Sequence, residues 1–159
     1  PAETLPLGEK VTVSEDFNGT LYSTSGVHWL RPDTVDRYVS GEGVTVENGY
    51  TGEMGGLYVD SFLGEKDKYS SFLGGNNPLY IVRNPNAATD LKLLVVRDSY
   101  SDSLAPFLSQ TYAEVHLLDL RYYRTSVAQY AEDMGADDIF VCYSVEHFIK
   151  DADAVFLAQ

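Results

Sequence analysis

The residues best suited to chemistry in this sequence stand where predicted strands end. Asp98 and Ser99 follow the apolar run Leu93 to Val96, and Leu104, Phe107 and Leu108 then recur at helical spacing. The pair therefore lies in the turn of a strand–turn–helix unit whose strand is buried on both faces. Ligands and reactive groups collect at this carboxyl edge of an open α/β sheet, and a helix amino terminus there offers free N–H groups to an anion. A serine hydroxyl becomes a nucleophile when a base lies within hydrogen-bond reach and N–H donors face the developing oxyanion. The competing role for Ser99 and Ser101 is simple helix capping.

Three histidines are available as the base. His28 stands beside Trp29 in an early loop, and His116 alternates with apolar neighbours inside a strand, as a structural histidine does. His147 follows the third strand end, next to Glu146, and is the best placed of the three to serve Ser99, although an exposed histidine in the first turn of a helix is the commoner explanation. Arg121 can pair with Asp98 or Asp119, or bind an anion, and the structural ion pair is the simpler role. Other chemistries fit less well. The Asp98-Ser-Tyr100 turn lacks the second aspartate of a phosphoryl-aspartate site, and neither Gly-x-x-x-x-Gly-Lys nor Gly-x-Gly-x-x-Gly occurs. His-x-x-x-His spacing is absent too, so no metal and no cofactor is expected.

The elements that must position these residues form a regular second half. Leu79–Val82, Leu91–Val96, Val115–Leu118 and Asp138–Tyr143 read as strands. Helices are predicted from about Ser101 to Tyr112, with Pro106 near the start of the regular part, from Thr125 to Met134 with Gly135 as the stop, and from Val145 to Leu157. The alternation implies a parallel sheet flanked by helices and joined by right-handed crossovers, an α/β fold. Residues 1–78 read as irregular, β-containing decoration on the 79–159 core of a single domain. They hold a strand at Lys10–Val13, a turn at Asn18-Gly19, a helix or extended segment at Pro32–Tyr38 and a strand at Gly41–Val46. Short helical turns follow near 57–62 and 68–73, carrying the predicted core aromatics Tyr58, Phe62, Tyr69 and Phe72. A dense turn follows at Gly74–Pro78, around Asn76.

Bulk properties narrow the partners. At 159 residues the chain is long enough for one sizeable core. Its formal net charge of −13 opposes binding to nucleic acid or an anionic membrane, and no apolar run is long enough to insert in a bilayer. The single cysteine, Cys142, lies in an apolar run and reads as a structural thiol. The twelve tyrosines fit either core packing or sugar contact.

Two blocks, Leu94–Leu108 with its Asp98-Ser-Tyr100, and Val115–Tyr123 with its Asp119-Leu-Arg-Tyr122, resemble the DHHW protein family. The upstream segments Phe17–Tyr22, Pro32–Val35 and Lys68–Asn76 agree, so the resemblance covers most of the chain. These are bacterial extracytoplasmic proteins related to SGNH hydrolases and to acetyltransferase-like proteins of alginate and cell-wall modification. The resemblance implies a flavodoxin-like, SGNH-type sheet, an extracytoplasmic location, and Ser99 at the serine of the first SGNH block. The Asp-His-His-Trp motif itself is not in this sequence. His28-Trp29 shares only two residues with it and lies in a different segment, so the chain is expected to be the carboxy-terminal part of a longer protein that supplies the base upstream.

The expected function is thus an SGNH-like esterase or O-acetyltransferase acting on acylated polysaccharide, with Ser99, Asp98 and His147 as catalytic candidates. Tyr100, Arg121, Tyr143 and Asn76 are the candidate substrate contacts, and the Ser99 and Tyr100 amides are the candidate oxyanion donors. The alternative is a non-catalytic carbohydrate-binding or envelope-scaffold domain.

Overall fold

The computed structural model describes residues 8–38, 42–150 and 155–157. Strands β1 (Lys10–Phe17) and β2 (Asp33–Tyr38) pair with each other as a two-stranded antiparallel sheet. The main sheet holds β3 (Thr45–Asn48), β4 (Met54–Gly55), β5 (Leu79–Arg83), β6 (Lys92–Arg97), β7 (Glu114–Leu118) and β8 (Asp138–Cys142). Its six strands run in the order β4-β3-β5-β7-β6-β8. The helices are α1 (Thr20–Ser25), α2 (Ala105–Thr111), α3 (Val127–Met134) and α4 (Val145–Lys150).

The α/β class is as the sequence implies, and the sheet is mixed. β6 is parallel to both β7 and β8, whereas β5 runs antiparallel to β7 and β3 antiparallel to β5. The reversal of β5 follows from chain length. Residues 84–91 are all that separate it from β6, and a parallel crossover takes about a dozen residues or more. From β6 the chain passes through α2 to β7 on one side, then through α3 to β8 on the other. The direction of winding reverses at β6, which puts a crevice at its carboxyl end.

The unbroken apolar run of β6 is explained by its two covered faces. Leu93 and Val95 join Val46, Tyr80, Val82, Val115 and Leu117 in one cluster, with Leu108 and Tyr112 from the α2 side packed on it. Leu94 and Val96 point the other way and join Leu79, Ile81, Leu118 and Leu120 beneath Val127 and Ala131 of α3. Caps set the helix ends. The Ser126 hydroxyl, one residue beyond the predicted Thr125, accepts from the Gln129 amide at 3.2 Å, and Gly135 closes α3 at φ 68°.

The amino-terminal half is more ordered than its composition implies. β1 extends to Phe17, and Asn18-Gly19 leads into α1, with Gly19 as its N-cap, rather than turning a hairpin. Segment 32–38 is strand β2. The buried Arg37 ties it to the core by pairing with Asp60 and stacking 4.8 Å over the Tyr58 ring. The predicted strand at 41–46 is β3 from Thr45, with Gly41 outside the described residues. The predicted turns near 57–62 and 68–73 are 3-10 stretches at Asp60–Gly64 and Lys68–Ser71. In the last predicted helix, α4 covers Val145–Lys150, and 151–154 lie outside the described residues. Among the described residues no helix is long and apolar enough to cross a membrane.

Candidate functional site

The turn after β6 is built around the side chain of Asp98. Asp98 is fully buried, in extended conformation, and caps a 3-10 stretch, Ser99–Leu104, through Oδ1, which accepts from the Tyr100 amide at 3.1 Å. The α-helix proper starts only at Ala105, with Pro106 in its first turn. The amides beside Ser99 thus belong to a 3-10 turn, not to the predicted helix amino terminus. One of the two candidate oxyanion donors, the Tyr100 N–H, is occupied by Asp98. The Ser99 N–H has no acceptor among the described residues and is the donor left at this turn.

Parallel pairing of β6 with β8 brings the third strand end alongside. Ser144 caps α4, its hydroxyl accepting from the His147 amide at 3.3 Å, and its own amide donates to Asp98 Oδ2 at 2.9 Å. Helical side chains lean towards the amino terminus of their helix. That lean sends the His147 ring back onto Asp98, with Nδ1 2.7 Å from Oδ2. Burial of Asp98 favours the neutral acid, but the Ser144 amide, His147 and the Tyr100 amide outweigh it and hold the carboxyl below its ordinary value. An ionised carboxylate only accepts, so Nδ1 carries the imidazole proton and the Nε2 lone pair is left for another partner. The His147 side chain is 34 % exposed.

Ser99 is half-buried and makes no hydrogen bond among the described residues. It lines a cleft of about 1030 Å³ that Tyr100, Asp102, Asn76 and Tyr69 also line. Of the predicted site residues, the structure joins Asp98 to His147, has Ser99 follow Asp98 in the chain, and puts Ser99, Tyr100 and Asn76 on the cleft wall. Arg121 and Tyr143 are not among the residues that line the cleft. Arg121 grips Asp119 with both ends of its fork, at 2.9 and 2.6 Å, and lies 5.3 Å over the Tyr122 ring. Asp119 raises the Arg121 pKa further, so this is the structural ion pair. Tyr143 packs on the core cluster under α3. Of the remaining histidines, His116 is buried between Tyr130 and Glu114, and burial lowers its pKa. His28 packs edge-on to Tyr22.

Two features beneath Ser99 escaped the sequence reading. The first is Tyr69, whose hydroxyl donates to the Tyr100 carbonyl at 2.8 Å and accepts from the Ser103 amide at 3.2 Å. It pins the turn from the 68–71 segment. Tyr69→Phe removes both bonds at constant shape and is expected to cost roughly 1–2 kcal/mol of stability, measured by urea denaturation.

The second is a fully buried Arg97, which stands 3.0 Å from Asp102 Oδ1 and 3.9 Å from Asp119 Oδ2. The contact with Asp102 is close but not aligned as a hydrogen bond, and Arg97 Nε and Nη1 and Asp102 Oδ1 have no such partner. Burial pushes the Asp102 carboxyl up to about 7, against the pull of Arg97. A carboxyl with a folded pKa above its unfolded one destabilises the fold increasingly as pH rises between the two values. From pH 5 to 8 this amounts to about 2–3 kcal/mol. Asp102→Asn is expected to remove that slope, seen in unfolding midpoints across the range. Among the described residues no group of three or more His, Cys, Asp or Glu is placed to hold a metal ion.

No family model matches the sequence, and no curated protein matches it. Solved structures do. A DHHW family protein from Eubacterium siraeum DSM 15702 superposes with a TM-score of 0.76 at 20 % identity, covering 100 % of this chain and 55 % of that one. Bacillus cereus PatB1 with a sulfonyl adduct gives a TM-score of 0.64 at 19 % identity, over 87 % of this chain and 47 % of that one. A second PatB1 structure gives 0.59 at 22 %, over 89 % and 48 %. The chain spans about half the length of these solved structures. At such identities the likeness is one of architecture, and the chain has the fold of the corresponding half of the Eubacterium siraeum DHHW family protein.

Proposed function

We propose that the chain belongs to the DHHW family and carries an SGNH-like acyl-ester site, working as an esterase or O-acetyltransferase on acylated extracytoplasmic polysaccharide. The observation that carries this reading is the buried, ionised Asp98 holding His147 by Nδ1, next to a Ser99 that lines a large cleft. Ser99 Oγ attacks the acyl carbon while its proton passes to His147 Nε2. The ester C–O bond then breaks, and the leaving alkoxide takes the proton back from Nε2. Water or a sugar hydroxyl next attacks the acyl-Ser99 ester, giving its proton to Nε2; the acyl–Oγ bond then breaks, Ser99 Oγ takes that proton back, and the acyl group leaves as acid or as new ester. The Ser99 amide faces the oxyanion, and Asp98 stabilises the imidazolium that forms in each half. In this scheme His147 serves as the base within the chain, in place of one supplied by an Asp-His-His-Trp segment. Arg121 keeps the loop after β7 in place through Asp119, and Tyr100 and Asn76 contact substrate at the mouth. The neighbour carrying a sulfonyl adduct is in keeping with electrophile capture at this fold.

The test is turnover. The chain is incubated with an aryl acetate and with an O-acetylated polysaccharide, and acetate release is followed. Release that depends on Ser99 supports the reading, and equal release by wild type and Ser99→Ala overturns it. Glycan binding with no turnover would instead identify a carbohydrate-binding domain.

A further inference from the structure

We propose that the cleft beside Ser99 is an acyl-chain site, shaped for esters of medium-length aliphatic acids and not for acetyl alone. This rests on the ester-transfer reading of Ser99. Helix α1 buries none of its residues, so core packing does not account for the apolar side chains on it and on the loop that follows. Leu21 is 65 % and Leu30 58 % exposed to solvent, yet both line the cleft that Ser99 lines, together with Phe17 and Val27. Exposed apolar side chains gathered around one groove mark a ligand surface.

The volume agrees. At about 1030 Å³ the cleft stands at the upper end of small-molecule sites and far exceeds one methyl group. Leu21, Val27 and Leu30 supply an aliphatic surface for methylenes, each of which improves binding roughly three- to fourfold when it leaves water. Tyr22, Tyr69, Tyr100, Asn76 and Lys66 line the same cleft and offer rings and polar partners to the alcohol portion of the ester.

The experiment is a series of 4-nitrophenyl esters from acetate to octanoate. Each kcat/KM is normalised to alkaline hydrolysis of the same ester and corrected for turnover by Ser99→Ala. The expected result is a rise of at least tenfold from acetate to hexanoate, from roughly threefold per methylene. Leu21→Asp, a change at an exposed position, should cut the hexanoate-to-acetate ratio at least fivefold. Met54→Asp, equally exposed but outside the cleft, should leave that ratio unchanged. Ser99-dependent turnover that is fastest on acetate, or a ratio that Leu21→Asp does not move, overturns the acyl-chain site and leaves the ester-transfer reading standing. No Ser99-dependent turnover on any ester overturns both.

Discussion

Ser99→Ala is expected to lower kcat for ester turnover by roughly 10⁴-fold or more while leaving KM and stability nearly unchanged. The size of the loss follows from the chemistry. Under the proposed mechanism the acyl-enzyme route closes without a nucleophile, and what remains is the acceleration supplied by binding and the oxyanion donor, as in hydrolases whose serine is removed. The selectivity follows from the structure. Ser99 is half-buried, and its hydroxyl makes no hydrogen bond among the described residues, so alanine leaves no orphaned partner. The Asp98 cap on the Tyr100 amide and the Tyr69 clamp on the Tyr100 carbonyl remain to hold the turn. A stability change beyond about 0.5 kcal/mol is not expected. Steady-state kinetics with a matched thermal melt measure both halves. A large drop in melting temperature would show Ser99 to be a structural cap.

Asp98→Asn is expected to cost roughly 10³- to 10⁴-fold in kcat at neutral pH, for a different reason. The asparagine keeps the shape of the carboxylate but loses its charge and one acceptor oxygen. Its NH₂ group takes either the place of Oδ1, where it meets the Tyr100 amide, or that of Oδ2, where it meets the Ser144 amide and His147 Nδ1. Each arrangement sets one donor against a backbone N–H, neither leaves a charge to stabilise the imidazolium, and the second also moves the imidazole proton to Nε2, where no base is left. The same isosteric change in a serine-protease triad has an effect of this order.

A stability signature accompanies the kinetic one. The folded pKa of Asp98 is lowered, so its contribution is fully present above the ordinary carboxylate range and is lost as pH falls through the folded value. Wild type should therefore lose more stability than Asp98→Asn on acidification below about pH 4. Urea midpoints on either side of that pH read the difference.

The parts of this fold legible in the sequence are those fixed by local pattern. Leu93 to Val96 announces a strand covered on both faces, and its two clusters confirm why all four residues are apolar. Gly135 stops α3 because the chain there needs a left-handed residue. The sequence also places Asp98 and Ser99 at a strand end and picks His147 from among the three histidines, because strand ends on one edge of a parallel sheet come together. Pairings between distant segments were not legible. β5 looks like its neighbours in composition, and only the short 84–91 connection betrays its opposite direction. Tyr69 reads as one more core aromatic, although its hydroxyl reaches residues 31 and 34 positions away. Arg97 carries a usable signal, a guanidinium closing a fully buried strand, but its pairing with Asp102 depends on how the 99–104 turn folds back, which local pattern does not set.

The most direct test of the central claim, that Asp98 and His147 make Ser99 a nucleophile, is its rate of modification by phenylmethanesulfonyl fluoride. Intact mass and peptide mapping would follow wild type and His147→Gln under the same conditions. One adduct on Ser99 is expected, slowed roughly 10³-fold in His147→Gln. A Ser99 left unlabelled, or labelled equally fast without His147, would contradict it.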